Sequence, residues 1–193
     1  MTILKQRTSQ MLVLLLAVFA GVILGSVLHA FYPTWAIWEN ATFLQGMGLT
    51  VIHGKIFYYI LTPFFWLAIL GMLGLSAVGL VGTPIVLILR GTALGAILEI
   101  LYASNGFKGI LTALLFIMPY AFGATIIMSL GARETFRFSM QIAGLVCEKT
   151  QDNLISVQLY IIRFLVLFAL LAVSGILQCL LMQYGYPLFM KFY

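Results

Sequence analysis

Apolar residues fill five long stretches of the chain, and polar residues are mostly confined to the short segments between them. The five stretches cover residues 11–31, 57–80, 83–103, 108–130 and 155–183. An α-helix rises about 1.5 Å per residue, so about 20 apolar residues suffice to cross the hydrocarbon core of a bilayer. The pattern therefore predicts an all-α, polytopic integral membrane protein with about five transmembrane helices.

The segment at 132–153 has a different pattern, in which apolar and charged residues alternate at helical spacing. Its defining residues are Phe136, Met140, Arg133 and Arg137. This arrangement is typical of an amphipathic helix that lies on a membrane surface, and we expect Gly131 to end the fourth span before it. We predict a cytoplasmic interfacial helix that is anchored to lipid. Docking of a cytoplasmic partner protein on the same residues is the alternative.

Composition and charge agree with a membrane protein and give its orientation. The chain is 63% hydrophobic and 8% charged, which effectively excludes a soluble fold. Five crossings divide the cations unequally, and the positive-inside rule then predicts a cytoplasmic N-terminus and an external C-terminus. The inner group is Lys5, Arg7, Arg133, Arg137 and Lys149, and the outer group is Lys55, Lys108 and Lys191. Basic residues are scattered singly, so we predict no nucleic-acid partner.

No linker or internal repeat divides the sequence, so residues 1–193 are predicted to form a single transmembrane domain. Catalytic and metal-binding patterns are missing as well. Neither His29 nor His53 belongs to a His-Glu-x-x-His motif, and there is no phosphate-binding loop. We therefore predict a protein without enzymatic activity, without a metal and without a cofactor.

Arg90 is the residue that most needs an explanation, because it is a permanent cation inside the third apolar stretch. Its side chain either extends back to the lipid headgroups or meets a partner inside the helix bundle. Tyr120 and a main-chain carbonyl freed by Pro119 are the candidate partners. Glu99 lies on the opposite face of the same helix, about 13 Å further along, so it reaches Arg90 only from another subunit.

Small residues at four-residue spacing predict how the helices associate. Gly91 and Gly95 form such a pair in the third span, and Gly21 and Gly25 form one in the first. Lipid gives helices no hydrophobic reason to associate, so close backbone approach at small residues is what holds a bundle together. We predict packing within one chain, with a homo-oligomer seam as the alternative. Pro119 predicts a kink in the fourth span.

The stretch from Trp66 to Gly131 carries a recognisable order of features. They are the turn Gly82-Thr83-Pro84, the apolar run 85–89, the pair Arg90-Gly91, Gly95, the turn Asn105-Gly106 and the helix broken at Pro119. In this order the chain resembles stage II sporulation protein M and its relatives, which are small polytopic proteins of the bacterial plasma membrane. It departs from them after the proline, where relatives often have a polar residue and this chain has Tyr120.

The resemblance implies a non-enzymatic membrane scaffold that works with partner membrane proteins. The sporulation protein acts with partners that degrade septal peptidoglycan during engulfment, so peptidoglycan hydrolases are the partners it implies. Here Gly91, Gly95 and the kinked fourth helix would present the partner surface. The alternative is a permease or channel subunit of an export system, for example in bacteriocin maturation, export or immunity. That subunit would work with an ATPase, and a path would pass Arg90 and Pro119.

Overall fold

The structure is a computed structural model that describes residues 2–32, 56–146 and 157–185. His53, the outer connection at 33–55, the last part of the amphipathic segment at 147–153 and the chain end at 186–193 lie outside the described residues. Within the described ranges the regular secondary structure is entirely helical. The all-α prediction is confirmed for this part of the chain.

Five α-helices and two short π-helical segments form the described chain. The α-helices are α1 (Thr2–Phe31), α2 (Ile56–Gly74), α3 (Gly79–Thr112), α4 (Met118–Val146) and α5 (Val157–Leu180). The π-helical segments are Ala113–Ile117 and Leu181–Gly185. A sharp bend interrupts α3 at Gly106, whose φ of 56° suits glycine because a Cβ would be strained there. The bend agrees with the turn predicted at Asn105-Gly106.

Four stretches of the described chain are long and apolar enough to cross a membrane. They are Leu12–Phe31, Gly79–Ala103, Gly106–Gly144 and Val157–Gly185, and α2 adds a shorter apolar stretch, Leu61–Gly74. Large apolar side chains are exposed along the outside of all five helices, as expected for a surface that contacts lipid. These features indicate a membrane location, and the count of five spans stays a prediction.

The boundary between the second and third predicted spans is wrong. α2 ends at Gly74 and α3 begins at Gly79, so the turn predicted at Gly82-Thr83-Pro84 lies inside α3. The Thr83 hydroxyl donates to the Gly79 carbonyl within the helix at 2.5 Å. The intervening turn is held from outside, because the Ser139 hydroxyl donates to the Ser76 carbonyl at 2.7 Å. A tertiary contact, which the local sequence does not reveal, therefore places this boundary.

The predicted end of the fourth span at Gly131 is also wrong. α4 continues without a break to Val146, and Gly131 is buried inside it against Leu67 of α2. The glycine allows a close helix contact and does not end the helix. The described part of the segment at 132–153 is therefore the second half of a long bundle helix instead of a separate interfacial one.

α1 and α3 run parallel and touch along their glycines. Gly21 lies against Gly91, and a Cβ built on Gly95 would collide with the main-chain carbonyl of Val22. The Ser26 hydroxyl donates to the Gly95 carbonyl at 3.1 Å, which joins a side chain of α1 to the backbone of α3. The prediction of glycine packing within one chain is confirmed, and we call this contact the glycine seam.

α2, α4 and α5 form the other half of the bundle. The Thr135 hydroxyl of α4 donates to the Leu70 carbonyl of α2, and the Tyr160 hydroxyl of α5 donates to the Gly71 carbonyl, both at 2.9 Å. These contacts align α2 parallel to α4, whereas α5 runs antiparallel to both. α3 packs mainly against α1 and meets α2, its neighbour in the chain, less extensively.

The glycine seam predicts that Gly95→Ala destabilises the bundle. Overpacking a tight contact costs about 1–3 kcal/mol, whereas alanine alone favours a helix over glycine by about 0.5–1 kcal/mol. Gly123→Ala is the matched control, because a Cβ on Gly123 of α4 meets no atom within 4 Å. Thermal unfolding in mild detergent should show a lower midpoint for Gly95→Ala only. Equal midpoints for the two variants would contradict the seam.

Candidate functional site

Arg90 lies in the interior of the bundle, where 3% of the residue is exposed. The bend at Gly106 returns the chain so that α4 runs antiparallel to α3, which brings Tyr120 level with Arg90. Tyr120 is itself buried, and it interacts electrostatically with the guanidinium. The structure thus brings together the two residues that the sequence suggested as partners. Burial of the whole side chain favours the interior partner over extension to lipid headgroups.

The predicted partner surface at Gly91 and Gly95 is already occupied. Both glycines are buried, and the backbone of α1 covers them at Val18 and Val22. A second protein could reach this surface only by displacing α1. The prediction that these glycines present a docking surface is therefore wrong, because the first span of the same chain fills the groove.

Glu99 contacts His29 of α1. This contact lies beyond the C-terminal end of the glycine seam, whereas Arg90 lies near its N-terminal end. The His29 Nδ1 atom contacts a carboxylate oxygen of Glu99, and both side chains are largely buried. Glu99 therefore has a partner within its own chain, and its burial does not require that it reach Arg90 of another subunit. A signal was present in the sequence: His29 follows Gly25 by four residues, as Glu99 follows Gly95. Parallel glycine pairs in register place the two next to each other.

Pro119 lies beside a local change of helix type instead of a simple kink. The preceding segment, Ala113–Ile117, is π-helical, and the Met118 N–H donates to the Ala113 carbonyl. A π-helical turn frees carbonyl groups from the α-helical ladder. Within this segment the Phe116 carbonyl accepts a hydrogen bond of 2.8 Å from the amide of Gln178, which is buried in α5. Sequence analysis missed this role of Gln178.

Three arginines surround Glu134. This group lies at the end of the bundle opposite His29. Arg133 donates to its Oε1 atom at 3.0 Å, Arg137 lies 3.7 Å from the same atom, and Arg163 of α5 contacts Oε2. The Glu134 side chain is 9% exposed, whereas that of Arg163 is 41% exposed. We call these four residues the arginine cluster. The sequence identified Arg133 and Arg137 but gave no reason to join them with Glu134 and Arg163.

The apolar residues of the predicted amphipathic stripe do not form the packed face of α4. Met140 is exposed and Phe136 is partly exposed, whereas Thr135, Phe138 and Ser139 are buried. Hydrogen bonds explain this burial. Thr135 donates to a carbonyl of α2, and Ser139 donates to a carbonyl of the turn after α2. Phe136 and Met140 therefore remain on the outer surface beside the arginine cluster.

An apolar groove of about 120 Å³ lies between α1, α3 and α4. Val18, Leu94 and Met118 are among its lining residues, and Thr125 is the polar one. Arg90 and Pro119 do not line it. In the part of the chain that the structure describes, no three His, Cys, Asp or Glu side chains are close enough to hold a metal ion.

The described residues form an all-helical bundle with four apolar helices of membrane-spanning length. Comparison of the chain with protein-family models, curated proteins and solved structures finds no match. The resemblance to stage II sporulation protein M therefore stays a prediction, and the function has to be argued from the geometry.

Gln178→Leu tests the hydrogen bond at the π-helical segment. The substitution leaves the Phe116 carbonyl without this donor inside the bundle, at a cost of about 1 kcal/mol. Gln183→Leu is the control, because Gln183 is exposed in the π-helical segment that follows α5. We expect a lower unfolding midpoint in mild detergent for Gln178→Leu and no decrease for Gln183→Leu. A decrease of the same size in both would show that the bond contributes nothing.

Proposed function

We propose that this protein is a non-enzymatic membrane scaffold that assembles with partner membrane proteins. Its role would resemble that of stage II sporulation protein M in the remodelling of septal peptidoglycan during engulfment. The proposal places the chain in a bacterial plasma membrane as a single domain with five crossings.

The observation that carries the proposal is how the polar side chains of the interior are used. Arg90 lies against Tyr120, Glu99 contacts His29, and Gln178 donates to a carbonyl of another helix. Contacts of this kind fix helices against one another, because a polar group inside a membrane protein needs a partner. A fixed bundle suits a scaffold better than a transporter, which must rearrange around its substrate.

The burial of Arg90 gives the export alternative less support. A permease or channel that used this cation would need a hydrated path to it, yet its nitrogen atoms are buried and the apolar groove does not reach it. The π-helical segment before Pro119 is likewise held against α5, because the Gln178 amide donates to the Phe116 carbonyl. The features that suggested a path in the sequence serve to hold helices together.

Helix directions support five crossings with a cytoplasmic N-terminus. α1 and α3 are parallel, α4 returns after Gly106, and α5 is antiparallel to α4, which is the alternation that five crossings require. The arginine cluster then lies at the same end as the N-terminus with Lys5 and Arg7. Arg163 adds a further cation to this end, which the positive-inside rule assigns to the cytoplasm.

A partner surface is proposed on the outer face of α4 near the arginine cluster. Met140 is 51% exposed there, and Phe136 is partly exposed beside Arg133 and Arg137. An exposed apolar side chain here can pack against the apolar face of a partner helix. This surface replaces the glycine groove, which α1 covers.

Affinity capture of the full chain from its native membrane in mild detergent tests the scaffold. We expect recovery of membrane proteins that carry a peptidoglycan-hydrolysing domain. Met140→Glu should reduce their recovery several-fold, because a carboxylate at this surface opposes apolar packing. Met72→Glu is the matched control, because Met72 is an exposed methionine of α2 at the same end of the bundle.

The scaffold would be wrong if the protein were recovered alone or with an ATPase and also carried solute across proteoliposomes. Flux without such partners would favour the export subunit instead. Equal losses for Met140→Glu and Met72→Glu would remove the proposed surface on α4 but not the scaffold itself.

A further inference from the structure

The arginine cluster has more hydrogen-bond donors than Glu134 can use. Each guanidinium offers about five N–H donors, whereas one carboxylate accepts about four hydrogen bonds. Arg133 and Arg163 take up the two oxygens most directly, and Arg137 is further away at 3.7 Å. Donors of the three arginines therefore remain for another acceptor, chiefly on the more exposed Arg137 and Arg163, because the Arg133 Nε atom is buried.

The cluster also carries an excess of positive charge. Three guanidinium groups surround one carboxylate, so the four described residues have two net positive charges. Glu134 is the buried member, and the arginines are partly exposed, with side-chain exposures of 27%, 35% and 41% for Arg133, Arg137 and Arg163. The carboxylate thus holds the guanidiniums together while their outer edges remain accessible. An anion is the ligand that such an arrangement favours.

The surroundings of the cluster are apolar. On α5, Ile162 and Val166 are exposed on either side of Arg163, and Met140 is exposed on α4. A free inorganic anion would gain nothing from these side chains. A phospholipid would use both parts of the surface, because its phosphate meets the guanidiniums while its acyl chains lie along the apolar face of α5.

We propose that Arg133, Arg137 and Arg163 form a binding site for the phosphate group of an anionic phospholipid, with Glu134 as the positioning residue. Guanidiniums bind phosphate oxygens in a bidentate manner, and the two net positive charges favour a headgroup with net negative charge. A zwitterionic headgroup is disfavoured, because its quaternary ammonium approaches the same cations. The site comprises described residues of α4 and α5 alone and does not depend on the scaffold proposal.

The test uses the full chain in mild detergent and short-chain phosphatidylglycerol as the probe, with binding measured by native mass spectrometry. Phosphatidylcholine of the same chain length and soluble glycerol phosphate are measured in parallel. We expect phosphatidylglycerol to bind at least about tenfold more tightly than either, because only it offers both a net negative headgroup and acyl chains.

Two variants separate the site from the general charge of the protein. Arg137→Gln removes the arginine furthest from Glu134, so it should weaken phosphatidylglycerol binding several-fold while leaving the unfolding midpoint nearly unchanged. Arg137→Gln combined with Arg163→Gln should abolish the preference over phosphatidylcholine. Lys108→Gln removes an exposed cation at the opposite end of the bundle and should leave binding unchanged.

Three results would overturn the proposal. The first is equal binding of phosphatidylglycerol and phosphatidylcholine by the unchanged protein. The second is an equal loss in Lys108→Gln and Arg137→Gln, which would show that net charge alone attracts the lipid. The third is equal affinity for glycerol phosphate, which would identify a site for a soluble phosphate compound instead of a lipid.

Discussion

The close backbone contact between α1 and α3 is the constraint on which the rest of the structure depends. Gly21 and Gly91 allow the two helices to touch, and the register that they set carries through Gly95 to the contact between His29 and Glu99. In a bilayer, dispersion contacts and interhelical hydrogen bonds must hold helices together, since the surrounding lipid is as apolar as the side chains. The glycines allow the close dispersion contacts, and the buried polar residues form the interhelical hydrogen bonds.

The seam also changes where function can be located. With α1 across the glycines, neither a partner nor a solute path has access to this side of α3, and Arg90 is enclosed between α3 and α4. The arginine cluster offers accessible polar groups at one end of the bundle, where Arg137 and Arg163 are partly exposed. A scaffold with its interior fixed and its contacts at one end, formed with lipid and with partner helices, is consistent with this division.

The sequence was sufficient to predict the helical class and the glycine packing, because both follow from local spacing, and it offered Tyr120 as one candidate partner of Arg90. It was not sufficient where distant helices decide the outcome. Gly131 has the residue type of a helix end, yet its contact with Leu67 makes it an interior position. Glu134 and Arg163 are 29 residues apart on two helices, so nothing in the local pattern joins them.

The parallel arrangement of α1 and α3 is measured most directly by the distance between spin labels on the two helices. With Cys147 and Cys179 replaced by serine, labels at Phe19→Cys and Leu89→Cys should lie at the same level of the bundle. A label at Tyr102→Cys lies 13 residues further along α3, about 20 Å, and a label at Phe31→Cys lies 12 residues further along α1. In parallel helices the Tyr102→Cys label should be close to the Phe31→Cys label and clearly further from the Phe19→Cys label. If it were as far from the Phe31→Cys label as from the Phe19→Cys label, or further, the parallel glycine seam would be wrong.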